Sequence, residues 1–387
     1  MTTFEEAYEL TGHGRFNHLA LFTNGFILLY ATTECLGLGY VLNTADCDLH
    51  VSIGERGAIS AATFIGVVAP AIVWGYLGDK YGRRKTMLPA TVLAVLFSFL
   101  SSLSTNFWSM FLLRIITGTL ISASCATAYV YLGELTSPSR RAASIAWGSA
   151  FIAGSYLAMP LFAWILLPLK FSVGDGTLKI RPWRVLMWAY TIWGSMSCVG
   201  MAILPESPSY LLATKGGPET LAVLAKIYSW NQKKTAAEYP IKEILCPAIN
   251  IPKFKESLAR MKLMLKPPLL RCVVISHISN FMVFMQSNAF YVWLPHIVDE
   301  LLRHGPKKPG LSMCQIMNDI HNNIEMVLDE CVPAEMDTGI YPIASCVGII
   351  TAILYAAIAF GMKRGWAKAI MYCKMVFKLV LFPYSRY

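Results

Sequence analysis

Residues 75–87 read GYLGDKYGRRKTM: glycines, one aspartate and four basic residues set abruptly between two long apolar runs. The chain around them is oily. Of its 387 residues 55% are hydrophobic and 14% charged, with a mean hydropathy of +0.50. Soluble domains carry about 25% charged residues, so the composition places this chain in lipid. A formal charge of +10 would suit a nucleic-acid surface if it formed a basic face on a soluble fold. Here Lys and Arg fall between apolar stretches, where membrane topology accounts for them, and no nucleic-acid partner is expected.

A window of about 20 apolar residues, the length that crosses the hydrocarbon core, places spans near 17–40, 56–77, 86–104, 107–130, 142–167, 184–204, 270–297 and 340–362. The polar opening, MTTFEEAYELTGHGR, and the length of the run behind it exclude a cleavable signal. The first run is therefore a membrane helix. Lys80, Arg83, Arg84, Lys85, Arg140, Arg141, Lys363, Arg364 and Lys368 all fall on one side, and the positive-inside rule makes that side cytoplasmic, with the N-terminus. Lys170, Lys179, Arg181, Arg303, Lys307 and Lys308 run mildly against it. The expected domains are a cytoplasmic N-terminus (1–16), a six-helix bundle (17–210), a Lys-rich cytoplasmic linker (211–268), two further helices with an outer loop (269–362) and a basic amphipathic tail (363–387).

The opening stretch then joins the second and third helices. A positive-inside cluster explains its basic residues but not its glycines and aspartate. Gly75 suits close helix approach, Gly82 suits a tight turn, and Asp79 stands four residues before Arg83, within pairing distance on a helix. Together they read as a latch. The stretch resembles the signature loop of the major facilitator superfamily, G-x-L-x-D-x-x-G-R-R. That resemblance implies two six-helix bundles that rock about a central solute site.

Other motifs extend it. Arg114-Ile-Ile-Thr-Gly118 looks like the R-x-x-x-G of sugar-porter relatives, and Gly118, Ser122 and Ala126 form a row of small residues. Glu134 and Arg141 bound ELTSPSRR at the family's acidic and basic positions, and PESPSYLL (205–212) resembles P-E-S-P-R-[FY]-L, with Ser209 in place of Arg. By resemblance, Gly75, Asp79, Gly82, Arg83, Arg84, Arg114, Glu134, Arg141 and Glu206 form a cytoplasmic gating network. Phe4-Glu-Glu-Ala7, Gly12-His-Gly14-Arg-Phe16, Glu34 ahead of Gly39-Tyr-Val-Leu42, Trp183-Arg-Val185 and Trp293-Leu-Pro295 are similar to the synaptic vesicle glycoprotein 2-like branch. Ala31, where that branch often has Asp, and Ala142, where Gly is usual, depart from it. So does the lack of any N-x-[ST] acceptor.

Glu34 is the sharpest candidate. A carboxylate inside a span is expensive and normally faces a cavity or a partner. It reads either as a substrate or coupling-proton site, or as a wetted group near the outer end. Tyr291 and Trp293 read either as a cation-attracting vestibule or as an interfacial aromatic belt. His277 reads as a packing residue rather than a proton relay. Cys314 and Cys331 flank one outer loop as a candidate disulfide, with Cys47 as a rival partner. No phosphate loop or metal-ligand pattern appears, so neither an ATP-driven pump nor a metal or other cofactor is expected.

The fold expected is all-α and polytopic, with a complete N-terminal six-helix bundle and about eight of the family's twelve helices. GMKRGWAK (361–368) resembles a worn second copy of the signature loop, and Lys374 and Lys378 interrupt the tail beyond it. Two functions follow. One is secondary transport of a small, possibly charged organic solute, proton-coupled or facilitative, with no enzyme activity. The other is a shortened, non-transporting membrane protein that pairs with full-length relatives. The bilayer is either the plasma membrane or an intracellular vesicle membrane.

Overall fold

The computed structural model describes residues 2–49, 51–174, 179–245, 265–267, 269–279 and 340–362, with a few further positions between 254 and 315. Six described helices are long and apolar enough to cross a membrane: Arg15–Leu42, Gly54–Tyr81, Arg83–Ser102, Phe107–Glu134, Pro138–Leu166 and Pro182–Ile203. They coincide with the first six expected spans. Leu269–Ser279 is a shorter apolar helix within the expected seventh span. Ile340–Met362 matches the eighth. It packs on the fifth span, where a Cβ added at Gly348 would lie 2.6 Å from the Tyr156 carbonyl oxygen. Tyr291, Trp293, Cys314, Cys331 and the tail lie outside the described residues.

Two spans are broken in ways that the apolar window does not reveal. The first is interrupted at Gly37, where a side chain would meet the Tyr190 ring at 2.5 Å. The second divides into Ile53–Val68 and Ala71–Tyr81 around Pro70, since proline supplies no N–H to the helix ladder.

The first span runs through the middle of the bundle and is the most buried of the six. Small residues bring the second and fourth spans together: Gly66 and Gly118 face each other, and the Ser122 hydroxyl donates to the Val67 carbonyl at 2.6 Å. Ala126 continues that row but is exposed. At the end opposite the signature stretch, the buried Arg184 guanidinium donates to the carbonyls of Lys179 (2.9 Å), Ser102 and Ser104 (2.8 Å) and stacks on Trp183. Trp183 donates to Asp48 at 2.7 Å, and Arg181 pairs with the same carboxylate at 2.9 Å. The W-R-V motif is therefore a knot that fastens the start of the sixth span to the end of the third and to the loop after the first.

The described parts of the segments expected as the N-terminus (1–16) and the linker (211–268) fold onto the basic end. Thr3 and Glu6 cap a helix over Phe4–Glu9, and Pro208–Thr214 and Gly217–Gln232 form two more. Thr2 bridges to Ile244 as a single parallel pair. Asn231 is the hub. Its amide donates to the carbonyls of Thr11 and Gly12 and to Asn17 (2.8 Å), and its oxygen accepts from the Phe16 N–H. Tyr239 donates to the Ala7 carbonyl at 2.6 Å, and burial pushes its phenol up to about 12, so it stays a donor. Asn231→Ala removes four bonds at about 0.5–1.5 kcal/mol each. The expected outcome is a loss of about 2–4 kcal/mol in thermal unfolding, with faster proteolysis of residues 2–14.

Candidate functional site

The charged residues of the bundle gather at two depths. The deeper group lies toward the end opposite the signature stretch. Glu34 on the first span and Arg114 on the fourth are each 2% exposed and meet at 2.6 Å, Nη1 to Oε2. The Ser98 hydroxyl on the third span donates to the other carboxylate oxygen at 2.6 Å. One carboxylate thus holds three helices. Among the described residues the Arg114 Nε has no partner, and neither has the buried Tyr30 hydroxyl, one helical turn before Glu34. A buried ion pair gains from mutual attraction only when its remaining donors are also met.

These positions settle two sequence expectations. Glu34 is not a wetted carboxylate at the rim, because it is buried and fully engaged. Arg114 does not belong to the basic-end network, because its guanidinium is bound to Glu34. Helical arithmetic gives the reason: Arg114 stands seven residues into a span that starts at Phe107 at the opposite end, about 10 Å in.

The second group is the signature stretch itself. Arg83 pairs with Asp79 one turn before it and reaches both oxygens of Glu134 on the fourth span at 3.3 Å. Asp79 is largely exposed while Arg83 and Glu134 are mostly covered. The cross-helix bond is therefore the stronger tie, since exposed pairs contribute little. Glu206 caps the third span, its two oxygens accepting the backbone N–H groups of Arg84 (2.9 Å) and Lys85 (3.2 Å). A carboxylate there satisfies orphan donors and meets the positive end of the helix dipole. The Arg84 guanidinium donates to the Met201 and Ala202 carbonyls, and Arg141 donates to the Gly133 carbonyl at 2.9 Å. Asp79, Gly82, Arg83, Arg84, Glu134 and Glu206 come together here. Arg141 lies beside them without an ion pair among the described residues.

Gly82 is required twice. Its φ of +108° excludes ordinary side chains, and a Cβ would lie 2.5 Å from the Glu206 carboxylate. Among the described residues nothing lies within 4 Å of a Cβ at Gly75, so the close helix contact expected there is not among them. Gly78 does the nearer work, with Thr127 at 2.9 Å. His277 is exposed, and its Nδ1 lies 2.8 Å from the Val273 carbonyl of its own helix rather than in a packed interface. Among the described residues no group of three or more His, Cys, Asp and Glu side chains is placed to hold a metal.

Six apolar spans closing on an internal ion pair, with a charged clamp at one border, define a polytopic membrane protein. The family model of the Major Facilitator Superfamily matches residues 21–383, and the chain belongs to that superfamily. Synaptic vesicle glycoprotein 2C of Rattus norvegicus is 29% identical over 257 residues, covering 64% of this chain and 35% of that protein. Synaptic vesicle glycoprotein 2B of Mus musculus is 26% identical over 253 residues, covering 65% and 37%. The chain thus spans about a third of the length of these curated relatives. Among solved structures, the proton:xylose symporter XylE bound to 6-bromo-6-deoxy-D-glucose aligns with a TM-score of 0.57 at 14% identity, covering 89% of this chain and 69% of that one. A partially occluded inward-open form of XylE from E. coli aligns at 0.52 and 17%, covering 92% and 90%. At such identities the likeness shows the fold alone.

Arg114→Leu strands a buried carboxylate and is expected to lower stability by about 3–5 kcal/mol. The Glu34→Met/Arg114→Leu double variant recovers most of that loss in thermal unfolding; equal losses in both would contradict the pairing. Gly82→Ala loses about 1–3 kcal/mol, whereas Gly75→Ala, inside a helix and facing open space, gains about 0.5 kcal/mol.

Proposed function

We propose that this chain works in secondary transport, moving a small organic solute across a bilayer by alternating access, with Glu34 as the group that carries a coupling proton. The buried Glu34–Arg114 pair is the observation that carries this reading. Ionisable groups held within membrane spans are rare and mark ion or proton pathways.

While Glu34 is charged, its two oxygens bind Arg114 and Ser98 and hold the first, third and fourth spans in one arrangement. A proton on Glu34 cancels the attraction to Arg114 and leaves that guanidinium without its counter-charge. The first and fourth spans are then free to shift relative to each other, and Arg114 is free to take a new acceptor. At the basic end, Arg83 with Glu134 and the Glu206 cap act as the clamp that such a shift opens and closes. Because the ion pair and the clamp share the fourth span, a change at one depth is felt at the other.

The positive-inside rule supports placing the clamp at the cytoplasmic face. The names of the relatives favour an intracellular vesicle membrane over the plasma membrane. Tyr291 and Trp293 remain proposed contacts for the solute.

The test is uptake by the purified chain in proteoliposomes, using radiolabelled small organic cations, anions and sugars with and without an inward proton gradient. The expected result is saturable uptake of at least one compound, accelerated by the gradient. Glu34→Gln abolishes the acceleration while keeping solute exchange. No saturable uptake by a folded chain would favour a non-transporting partner of longer relatives. Undiminished gradient dependence in Glu34→Gln would remove the proton role.

A further inference from the structure

The four basic residues of the signature stretch are not equivalent. Arg83 is bound to Asp79 and Glu134, and Arg84 to two backbone carbonyls. The Lys80 ammonium lies over the Tyr76 and Tyr81 rings at 5.8 and 5.1 Å. Lys85 alone is exposed with no ion pair or hydrogen bond to its ammonium among the described residues.

Lys85 borders a groove of about 350 Å³ between the second, third and fourth spans, walled by Trp74, Leu77, Pro89, Leu93 and Leu120. From Lys85 to Leu93 the groove follows about 12 Å of helix, starting at the charged border and running into the apolar depth. Besides Lys85, its polar lining is Tyr81, at the charged border, and Thr86, whose hydroxyl is given to the Leu77 carbonyl at 3.3 Å. The Trp74 indole N–H is already given to the Thr119 carbonyl at 2.7 Å, so the wall presents the ring face. Pro89 has no N–H for the Lys85 carbonyl one turn earlier, which leaves an acceptor beside the ammonium. Among the described residues no carboxylate lines the groove: Asp79 and Glu134 turn to Arg83, and Glu206 turns to the helix N–H groups. One cation over an apolar trough, at the level where headgroups meet acyl chains, has the polarity of a single amphiphile.

We infer that this groove binds a glycerophospholipid with an anionic headgroup, its phosphate at the Lys85 ammonium and one acyl chain along Leu77, Pro89 and Leu93. The bound lipid braces the third span against the second beside the Gly82 turn, where the two helices otherwise touch through few side chains. This inference stands whether or not the chain transports a solute.

Native mass spectrometry of the purified chain tests it, comparing phosphatidylglycerol with phosphatidylcholine of the same acyl chains. Phosphatidylglycerol is expected to stay bound and phosphatidylcholine to be lost. Lys85→Gln weakens retention about fivefold, the effect of one basic residue on an anionic lipid. Leu93→Trp fills the trough and abolishes retention with Lys85 intact. Lys215→Gln, on a cation already paired with Glu219 at 2.8 Å, changes nothing, and soluble glycerol phosphate fails to displace the lipid. Equal retention of both lipids overturns the inference. So does a Lys85 or Leu93 variant that melts normally and binds as before. Displacement by glycerol phosphate would make this a phosphate site without an acyl groove, which also overturns it.

Discussion

A carboxylate and a guanidinium that meet inside an apolar bundle set the terms for the rest of this molecule. Neither charge is tolerable there alone, because desolvating an unpaired ion is far more expensive than burying the pair. The Glu34–Arg114 contact therefore fixes how the first and fourth spans lie against each other, and Ser98 adds the third. The remaining packing is consistent with that constraint. Glycines at 66 and 118 bring the second span close to the fourth, and the fifth and sixth spans close around the first.

The same problem is solved differently at each end. At one border Arg184 gives its donors to backbone carbonyls and its face to Trp183. At the other, Arg83 and Glu206 use side-chain charges and helix N–H groups across helices. Arg83 and Glu134 are mostly covered in this contact, while Asp79 on the same guanidinium stays exposed. Between the two borders the Glu34–Arg114 pair ties the first span to the fourth.

The spans were legible because hydrocarbon demands long apolar runs, and their borders followed from where the charges fall. Ile340–Met362 and the start of the fourth span at Phe107 match their windows at the residue. The breaks at Gly37 and Pro70 were not legible, since an averaged window cannot see one missing hydrogen bond. The clasp of residues 2–14 and 208–245 was missed because its helices are short and polar. Yet Thr3 with Glu6, Ser207 ahead of Pro208, and Thr235 with Glu238 are all capping signals present in the chain. Family resemblance grouped Arg114 with the basic end. Counting would have separated it: Glu34 lies eight residues before Leu42 and Arg114 seven after Phe107, at depths of about 12 and 10 Å from the same border. Gly75 was misjudged for the opposite reason, since a glycine on an open helix face looks no different in sequence from one that is packed.

The most direct measurement is solid-state NMR of the chain in bilayers, reading the dipolar coupling between ¹³C-labelled Glu carboxyls and ¹⁵N-labelled Arg guanidinium groups. A strong coupling that disappears in Glu34→Gln is the predicted result. A spectrum in which Glu34→Gln removes no coupling would mean that the two charges do not meet inside the bundle, and the account of the fold's centre and of its switching would fail together.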